Sequence, residues 1–251
     1  MKNLGRIIDA HCHLHEYYDD EIRVISMLGI DIIAVSDDYN SSLKTLAIAE
    51  KHRWVIPAVG IHPWNIGADS FAEFNRLYDL IINSRNKVRV IGEVGLDKKF
   101  KYETYSYQLQ IFKSFIDLAT EIKALLNIHA AGAWKETIEL LFKSDAPSAI
   151  IHWYTGPLEL INEIINRNIF ISINPAVTIQ AKHREVVAQA PLDIILVESD
   201  APYNYRGLSM HPRDVFNVIK HISSIKSMSY EEVYEAIASN YEKLKCKILT
   251  Y

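Results

Sequence analysis

The chain has 251 residues, 49% of them hydrophobic and 23% charged, and its net charge is −4. This length suits one large globular domain, and the few glycines (9) and prolines (8) exclude repetitive and disordered classes. The acidic balance excludes a general electrostatic attraction to nucleic acid, so a polyanion would have to be held by local basic residues or by metal ions.

Cysteine content and the chain start bear on the compartment. Two cysteines, Cys12 and Cys246, do not make a disulfide framework. Residues 1–6 contain no apolar stretch of the secretory type, and the sequence contains no run of about 18 apolar residues. We expect a cytoplasmic protein with no membrane partner, and the oligomeric state stays open.

Eight short apolar runs rich in β-branched residues recur along the chain. Their continuous rather than alternating apolarity is typical of strands that are buried on both faces. The predicted strands are Arg6–Ala10, Ile30–Val35, Trp54–Val59, Val88–Ile91, Leu125–Ile128, Ala149–Ile151, Ile169–Ile173 and Ile194–Val197.

Amphipathic segments with apolar residues three and four positions apart follow these runs and predict helices. The predicted helices are Glu21–Leu28, Ser41–His52, Phe71–Asn83, Tyr105–Glu121, Trp134–Phe142, Leu158–Asn166, Ile179–Ala190 and Pro212–Ile222. A strand followed by a helix, eight times, predicts an α/β fold of the (β/α)8 TIM barrel type. A doubly wound sheet is the alternative, but no Gly-x-Gly-x-x-Gly turn follows any predicted strand.

An additional C-terminal helix is predicted after Ser229. Ser229 and Glu232 have the spacing of a capping box, and an apolar stripe follows them. The stripe consists of Val233, Ile237, Tyr241 and Leu244. We expect this helix to pack on the flank of the barrel. The chain contains no linker and no repeat beyond the alternation of strands and helices, so we expect one domain over residues 1–251.

The first predicted strand leads into two histidines, His11 and His13. Because side chains alternate along a strand, these two point to the same side and Cys12 points to the other. Two imidazoles on one side can hold a divalent metal ion. Taken alone, the pattern is equally compatible with two loop histidines that bind nothing.

Polar residues follow nearly every predicted strand, at the barrel face where active sites of this fold lie. Those at the strand ends are His11, His13, Asp37, Asp38, His62, Glu93, His129, His152, Asn174 and Asp200. Four imidazoles and two carboxylates among them suffice for two divalent ions, with Glu93 able to bridge. These candidate metal ligands are His11, His13, Glu93, His129, His152 and Asp200.

The donor types limit the metal and the roles of the other histidines. Imidazole with carboxylate suits Zn²⁺, Mn²⁺ or Fe²⁺, whereas Mg²⁺ prefers more oxygen ligands. We expect His62 to contact substrate or to support the ligands rather than to bind metal. The helical histidines His52, His183 and His221 are expected at the surface.

The combination of motifs resembles the TatD family of metal-dependent hydrolases, within the amidohydrolase-like barrels. The matching stretches are Asp9-Ala10-His11-Cys12-His13-Leu14, Gly60-Ile61-His62-Pro63, Gly92-Glu93-Val94-Gly95-Leu96-Asp97, His129, His152 with Gly156, and Glu198-Ser199-Asp200-Ala201-Pro202. The resemblance implies one metal at His11, His13, Glu93 and Asp200, and a second at Glu93, His129 and His152. It also implies a Mg²⁺-dependent deoxyribonuclease that trims single strands from the 3′ end.

The sequence departs from the family pattern outside the metal ligands. Ala131 stands where an Arg is common after the fifth-strand histidine, and His15 stands where an Asp is common. Trp153-Tyr154-Thr155 replaces a common Cys-Phe-Ser, and Met210 replaces an Asn. The expected metal ligands are therefore kept, while residues that would contact the substrate differ.

Three functions follow as hypotheses. The first is a two-metal phosphodiesterase of the 3′–5′ deoxyribonuclease type acting on single-stranded DNA, with Asp200 and Glu93 as catalytic residues. We expect its substrate contacts from His62, Arg206 and Trp153, from lysines 98, 99 and 101, and from rim aromatics that include Trp64, Trp134, Tyr154, Tyr203 and Tyr205. The second is a hydrolase of a small amide, ester or lactone at the same Mg²⁺, Mn²⁺ or Zn²⁺ ions. The third is a non-catalytic barrel that keeps metal for stability.

Overall fold

The computed structural model describes residues 5–144, 148–167 and 169–249. Eight parallel strands form one sheet in chain order, as the sequence predicts. The strands are β1 (Ile8–Cys12), β2 (Asp31–Ala34), β3 (Val55–Val59), β4 (Val90–Gly95), β5 (Leu125–His129), β6 (Ala149–Ile151), β7 (Phe170–Ile173) and β8 (Ile195–Val197). The last strand returns to the first, because the N–H of Asp200 donates to the carbonyl of His11 at 2.9 Å.

Helices connect the strands and surround this barrel, which confirms the predicted TIM architecture. The helices are α1 (Asp19–Ser26), α2 (Tyr39–Lys51), α3 (Ser70–Asn83), α4 (Tyr105–Ile122), α5 (Trp134–Lys143), α6 (Ile161–Asn166), α7 (Ala181–Gln189), α8 (Val215–Lys226) and α9 (Tyr230–Leu249). Among the described residues, none of the helices has the length and apolar character that crossing a bilayer requires.

Two apolar cores explain why the strands are apolar on both faces. The larger core lies between the strands and the surrounding helices. The smaller one fills the barrel interior with side chains from every strand, among them Ile33, Val90, Leu125 and Phe170. Both faces of each strand are thereby removed from water, which is the origin of the continuous apolar runs.

The additional helix α9 closes the amino-terminal end of the barrel. Tyr241 and Leu244 of its apolar stripe pack in the interior core. The sequence analysis expected this helix to pack only on the flank of the barrel. The hydroxyl of Tyr241 donates to Asp31, the first residue of β2, at 2.5 Å. The predicted capping box is present, since Ser229 and Glu232 exchange hydrogen bonds. The open end of the barrel is therefore the carboxyl end of the strands.

Strand β4 is longer than predicted and ends at Gly95 instead of Ile91. Val94 and Gly95 continue the pairing with β5, so Glu93 lies within the strand rather than after it. Gly95 has a φ of +143°, and a Cβ there would lie 2.0 Å from the carbonyl oxygen of His129. A glycine at this position lets β4 and β5 approach closely beside Glu93.

Smaller differences concern the other elements. The predicted helix over residues 158–166 divides into a 3₁₀ turn, Leu158–Leu160, and the short α6. A small hairpin that the sequence analysis did not predict follows β8, with strands β9 (Asn204–Tyr205) and β10 (Leu208–Ser209). Its turn carries Arg206 to the carboxyl end of the barrel.

Candidate active site

Five strands bring the six candidate metal ligands together at the carboxyl end of the barrel. Three of these ligands, His11, Glu93 and His129, lie within strands, and the other three, His13, His152 and Asp200, lie just after strands. Glu93 lies between the others, and it is fully buried. Its two carboxylate oxygens face different histidines, so the six residues form two adjacent clusters.

The first cluster surrounds Oε2 of Glu93. This oxygen lies 3.2 Å from Nε2 of His11 and 3.6 Å from Nε2 of His13. Oδ1 of Asp200 lies 3.5 Å and 3.6 Å from the same two nitrogens. Two nitrogens and two oxygens thus converge on one point, a donor set typical of Zn²⁺ or Mn²⁺ sites.

The second cluster surrounds Oε1 of Glu93. Nδ1 of His129 lies 2.9 Å from this oxygen and Nε2 of His152 lies 3.0 Å from it. The two nitrogens are 3.2 Å apart. One carboxylate therefore contacts both clusters, which is the arrangement of a bridging ligand.

Unsatisfied polar atoms test whether these residues fit metal ions. Among the described residues, Nε2 of His11 and Oε2 of Glu93 are buried and have no hydrogen-bond partner. Lone pairs that face each other at 3.2 Å repel unless a cation lies between them. The donor set and its unsatisfied atoms therefore fit divalent cations.

Each of the four cluster histidines has one ring nitrogen, here called the outer nitrogen, that faces away from its cluster and toward a side-chain oxygen. The distances from the outer ring nitrogen are 2.8 Å for His11 to Asn127, 3.0 Å for His13 to Asp37, 3.1 Å for His129 to Asp97 and 3.6 Å for His152 to Glu198. An oxygen in this position favours a proton on the outer nitrogen and leaves a lone pair on the inner one. For His11 and His129 the contact is a hydrogen bond, which orients these two rings as metal ligands require. Nδ1 of His13 and Nδ1 of His152 face their carboxylates without forming a hydrogen bond.

The sequence analysis placed Asp37 at a strand end but did not identify any of these four oxygen acceptors as partners of the histidines. A signal for one of them exists, because Asn127 precedes His129 by two residues within the same strand. Positions two apart on a strand share a face, so Asn127 was a candidate for the same pocket. Glu198 follows β8 and has no such signal. Asp37 and Asp97 lie in loops, where no periodicity applies.

The carboxylates of the clusters are held in the ionised form. Burial raises the pKa of Glu93, but the neighbouring His62, His152 and His11 outweigh burial and hold that pKa well below its usual range. Burial likewise raises the pKa of Asp200, but the hydrogen bond from His13 and the surrounding imidazoles outweigh burial and lower this pKa overall. The pocket therefore concentrates negative charge that cations or protons must balance.

The histidines respond in the opposite direction. Burial lowers the pKa of His13, His129 and His152, but the surrounding carboxylates outweigh it, and each pKa is raised overall. The carboxylates concerned are Asp200 and Asp37 for His13, Asp97 and Glu93 for His129, and Glu93 and Glu198 for His152. A bound cation would satisfy the same attraction that otherwise retains protons on these rings.

His62 presents a proton to the site rather than a lone pair. Its Nδ1 accepts the backbone N–H of Trp64 at 3.1 Å. Burial lowers the pKa of His62, so the ring is neutral and its one proton is on Nε2, 3.3 Å from Oε1 of Glu93. This geometry supports the expectation that His62 donates a hydrogen bond instead of binding metal.

The backbone of Asp200 lies in the left-handed region, with a φ of +53°. Aspartate tolerates this region better than most residues, and such backbones occur at functional sites. Hydrogen bonds hold it there: its N–H donates to the His11 carbonyl at 2.9 Å, and its carbonyl accepts the N–H of Tyr203 at 3.1 Å. The carboxylate is thereby turned toward His11 and His13.

A cavity of about 920 Å³ opens over the two clusters. The three residues predicted to contact substrate, His62, Trp153 and Arg206, all line it. The indole N–H of Trp153 donates to Gln180 at 2.9 Å, and its ring packs edge-on against Tyr205 with centroids 5.0 Å apart. Arg206 has no ion-pair partner among the described residues, and its guanidinium lies 5.3 Å from the Tyr205 ring centroid.

Several other predicted contacts lie away from the cavity. Tyr154 is fully buried and donates its hydroxyl to the Pro157 carbonyl at 2.6 Å, so it is a packing residue. Lys98 pairs with Glu136 instead of facing the clusters. His183, expected at the surface, is fully buried against the barrel because it lies on the inner face of α7.

His15 lies next to the first cluster but does not reach Glu93. Its Nδ1 is 3.1 Å from the Val35 carbonyl and its Nε2 is 3.1 Å from Oδ2 of Asp37. The other oxygen of Asp37 faces His13. Burial raises the pKa of Asp37, but contacts with His13 and His15 lower it far below its usual range. His15 thus fixes the carboxylate that orients His13.

Comparison with known proteins places these features in a family. The profile of the family described as TatD related DNase matches residues 8–245. An uncharacterised metal-dependent hydrolase of Methanocaldococcus jannaschii is 30% identical over 242 residues, which cover 94% of this chain and 95% of the relative. The human deoxyribonuclease TATDN3 is 25% identical over 261 residues, covering 96% of this chain and 95% of that protein.

Solved structures show the same fold. The crystal structure of a TatD homologue from Escherichia coli has a TM-score of 0.86 at 22% identity, with 99% of both chains covered. A TatD family hydrolase from Entamoeba histolytica has a TM-score of 0.82 at 19% identity, with 96% of this chain and 98% of that chain covered.

Proposed function

The chain belongs to the TatD related DNase family of metal-dependent hydrolases, and on that premise we propose that it is a phosphodiesterase that removes nucleotides from the 3′ end of single-stranded DNA. The name of the human relative, a deoxyribonuclease, supports nucleic acid as the substrate class. We expect the whole chain, residues 1–251, to act as one hydrolase domain. The cytoplasmic location stays a prediction from the sequence.

The observation that carries this proposal is the division of Glu93 between two clusters. We propose that one divalent ion is held by His11, His13, Glu93 and Asp200, and a second by Glu93, His129 and His152. Mg²⁺, Mn²⁺ and Zn²⁺ are the candidates. When bound, such a pair lowers the pKa of water toward about 7 and offsets the charge of the phosphoryl oxygens.

Asp200 is the proposed general base. Its carboxylate is ionised and lies at the edge of the cavity, so it can take the proton of the attacking water. The water oxygen then bonds to phosphorus while the bond from phosphorus to the 3′ oxygen of the neighbouring nucleotide breaks, and this oxygen takes up a proton and leaves as a 3′-hydroxyl. The products are a nucleoside 5′-monophosphate and a strand shortened by one residue.

Substrate contacts are proposed for three residues around the cavity. His62 can donate its Nε2 proton to a phosphate oxygen, because this proton faces the second cluster. Arg206 can pair with a phosphate, since it has no ion-pair partner among the described residues. Trp153 directly follows the ligand His152 and offers a ring edge to a base or sugar.

A nuclease assay tests the proposal. Single-stranded DNA labelled at its 5′ end should shorten stepwise in the presence of Mg²⁺ or Mn²⁺, while a 3′ label should be released at once as a mononucleotide. His11→Ala and Glu93→Ala should abolish cleavage. Absence of cleavage by the unaltered protein would refute the proposal. Cleavage by both variants at the rate of the unaltered protein would refute it as well.

A small-molecule hydrolase is the second candidate, and the cavity volume favours it. About 920 Å³ lies within the range of about 300–1,000 Å³ typical of small-ligand sites. The same activated water would then attack the carbonyl of an amide, ester or lactone. Turnover of acyl substrates together with no cleavage of any nucleic acid would select this alternative.

A further inference from the structure

Two exposed aromatic side chains lie side by side at one wall of the cavity. Trp64, after β3, is 41% exposed and Phe100, after β4, is 59% exposed. Their ring centroids are 6.1 Å apart and their planes meet at 71°. Both residues line the cavity. Neighbouring exposed rings at the wall of a cavity mark a site for an apolar or aromatic ligand group.

One carboxylate fixes this pair relative to the metal-ligand clusters. Oδ2 of Asp97 accepts the indole N–H of Trp64 at 2.6 Å, and Oδ1 accepts the backbone N–H of Phe100 at 2.7 Å. The same Oδ2 lies 3.1 Å from Nε2 of His129. The Trp64 ring and the backbone of Phe100 are therefore held in place before any ligand arrives, directly beside the second cluster.

Lys99 adds a cation to the two rings. In the same loop, Lys98 pairs with Glu136, and Lys101 lies 3.6 Å from Glu103. Lys99 has no ion-pair partner among the described residues, and its ammonium is 4.9 Å from the Phe100 ring centroid. Of the three lysines, it is the one that lines the cavity.

The wall next to Lys99 carries almost no side-chain volume. Ala131 and Gly132 form it, and the backbone N–H of Lys98 binds the Ala131 carbonyl at 2.9 Å. A Cβ on Gly132 would lie 3.3 Å from the backbone nitrogen of Lys99, and Gly132 has a φ of +71°. Gly132 thereby lets this segment approach Lys99 closely, and Ala131 adds only a methyl group to the cavity lining.

From these placements we propose that Trp64, Phe100 and Lys99 form a nucleotide-binding subsite, called the aromatic–lysine subsite. A base of the single strand stacks on the exposed rings, and the ammonium of Lys99 pairs with the phosphate attached to that nucleotide. Stacking on a ring face accepts any base, so the subsite binds without sequence preference. This assignment rests on the proposed nuclease function and adds where the strand lies.

The loop itself provides matched controls. Tyr102 is 67% exposed at the start of the 3₁₀ turn that follows Lys101. Lys101 was expected from the sequence to contact substrate, but neither residue lines the cavity. Phe100→Ala and Lys99→Gln are therefore compared with Tyr102→Ala and Lys101→Gln. All four changes are at the surface of one loop, so they are not expected to affect folding.

Binding and turnover are measured separately. The binding probe is a single-stranded oligonucleotide with 2-aminopurine near its 3′ end and phosphorothioate terminal linkages, which keep the charge and slow hydrolysis. Phe100→Ala should weaken binding about 10-fold and remove the fluorescence quenching that stacking causes. Lys99→Gln should weaken binding and reduce the slope of log Kd against log salt by about 1. Both should raise KM and leave kcat within about twofold, whereas the control variants should match the unaltered protein.

Two results overturn the subsite in different ways. If the unaltered protein binds and cleaves single strands but Phe100→Ala and Lys99→Gln behave like the controls, the subsite is wrong and the nuclease function stands. If the unaltered protein neither binds nor cleaves any oligonucleotide, the nuclease function and the subsite fail together.

Discussion

The side-chain oxygen of Asn127 lies 2.8 Å from Nδ1 of His11, deep inside the barrel. The amide nitrogen of Asn127 donates to the Ala10 carbonyl at 2.8 Å, which turns the amide oxygen toward the imidazole. Nδ1 of His11 must then carry the proton, and Nε2 offers its lone pair to the first cluster. A neutral amide thus selects the form of a buried histidine that can bind metal.

Asn127→Leu should weaken metal binding about 10- to 100-fold, because His11 loses the acceptor that holds its proton on Nδ1. Calorimetric titration with Zn²⁺ or Mn²⁺ measures the change. Asn174→Ala is the control: Asn174 is also a buried asparagine at a strand end, but it caps a 3₁₀ turn by accepting from Ala176 at 3.0 Å. This control should lower thermal stability and keep the metal affinity. Equal metal affinity in Asn127→Leu and the unaltered protein would contradict the role of the amide.

Glu93→Gln should reduce the bound metal from two ions to one or none and lower kcat at least about 1,000-fold. An amide carries no charge and offers one acceptor oxygen, so it cannot serve both clusters. Metal content by mass spectrometry and the rate of strand cleavage are the measurements. Glu103→Gln changes an exposed carboxylate outside the cavity and should affect neither. Two ions retained in Glu93→Gln would argue against a bridging carboxylate.

Metal affinity should fall as the pH falls from about 8 to about 6. The pKa values of His13, His129 and His152 are raised, so these rings retain protons at higher pH than a free imidazole with its pKa of about 6.5. A metal ion must displace those protons, and the competition grows as pH decreases. Calorimetry in buffers of different ionisation enthalpy should detect proton release near pH 7. An affinity independent of pH across this range would exclude the competition.

Asp97→Asn should lower both kcat and oligonucleotide affinity. Asp97 lies behind His129 and also fixes Trp64 and Phe100, and its own pKa is lowered to about 2: burial raises it, but hydrogen bonds from His129 and Trp64 prevail. Losing this charge loosens a metal ligand and the aromatic–lysine subsite together. Phe100→Ala, by contrast, should change KM alone. A loss confined to KM in Asp97→Asn would mean that His129 needs no support from this carboxylate.

His183 should make the protein sensitive to acid. Burial lowers the pKa of His183 to about 3, whereas the unfolded chain has the ordinary value of about 6.5. Stability that is fully present above pH 6.5 is therefore lost as the pH falls toward 3, because the unfolded state takes up the proton first. Between pH 7 and pH 4.5 the loss due to this residue is about 2–3 kcal/mol.

His183→Gln should remove that loss. Chemical denaturation at the two pH values measures it, and the drop in the free energy of unfolding should be smaller than in the unaltered protein. His221→Gln replaces a partly exposed helical histidine and should leave the drop unchanged. The same drop in His183→Gln and the unaltered protein would show that another group causes the acid sensitivity.

The strands and the clustering of the six candidate metal ligands could be predicted because each depends on a local pattern. Strands buried on both faces are continuously apolar, and the ligands directly follow or end those runs, as His129 does at the end of β5. The hydrogen bonds that hold the site residues in position could not be predicted from a local pattern. Trp64 and Asp97 are 33 residues apart in sequence, and only the adjacency of β3 and β4 brings them together.

Helix faces explain one wrong expectation, for His183, and one incomplete expectation, for α9. His183 lies three and four residues before Val186 and Val187, so its place on the buried face of α7 was visible in the periodicity. The position of α9 was not, because its stripe fits a barrel flank and a barrel end equally well. The contact of Tyr241 with Asp31, 210 residues apart in sequence, depends on the closed barrel.

The barrel closes where β8 meets β1, and the first cluster lies at this junction. Backbone bonds cross it twice, from Asp200 to His11 at 2.9 Å and from His13 to Ala201 at 2.8 Å. During synthesis, a nascent chain that ends before β8 lacks Asp200 and cannot complete the first cluster. A cation bound in the first cluster would hold β1 and β8 together. At a free cation concentration of 100 times its Kd, binding would stabilise the closed barrel by about 2.7 kcal/mol.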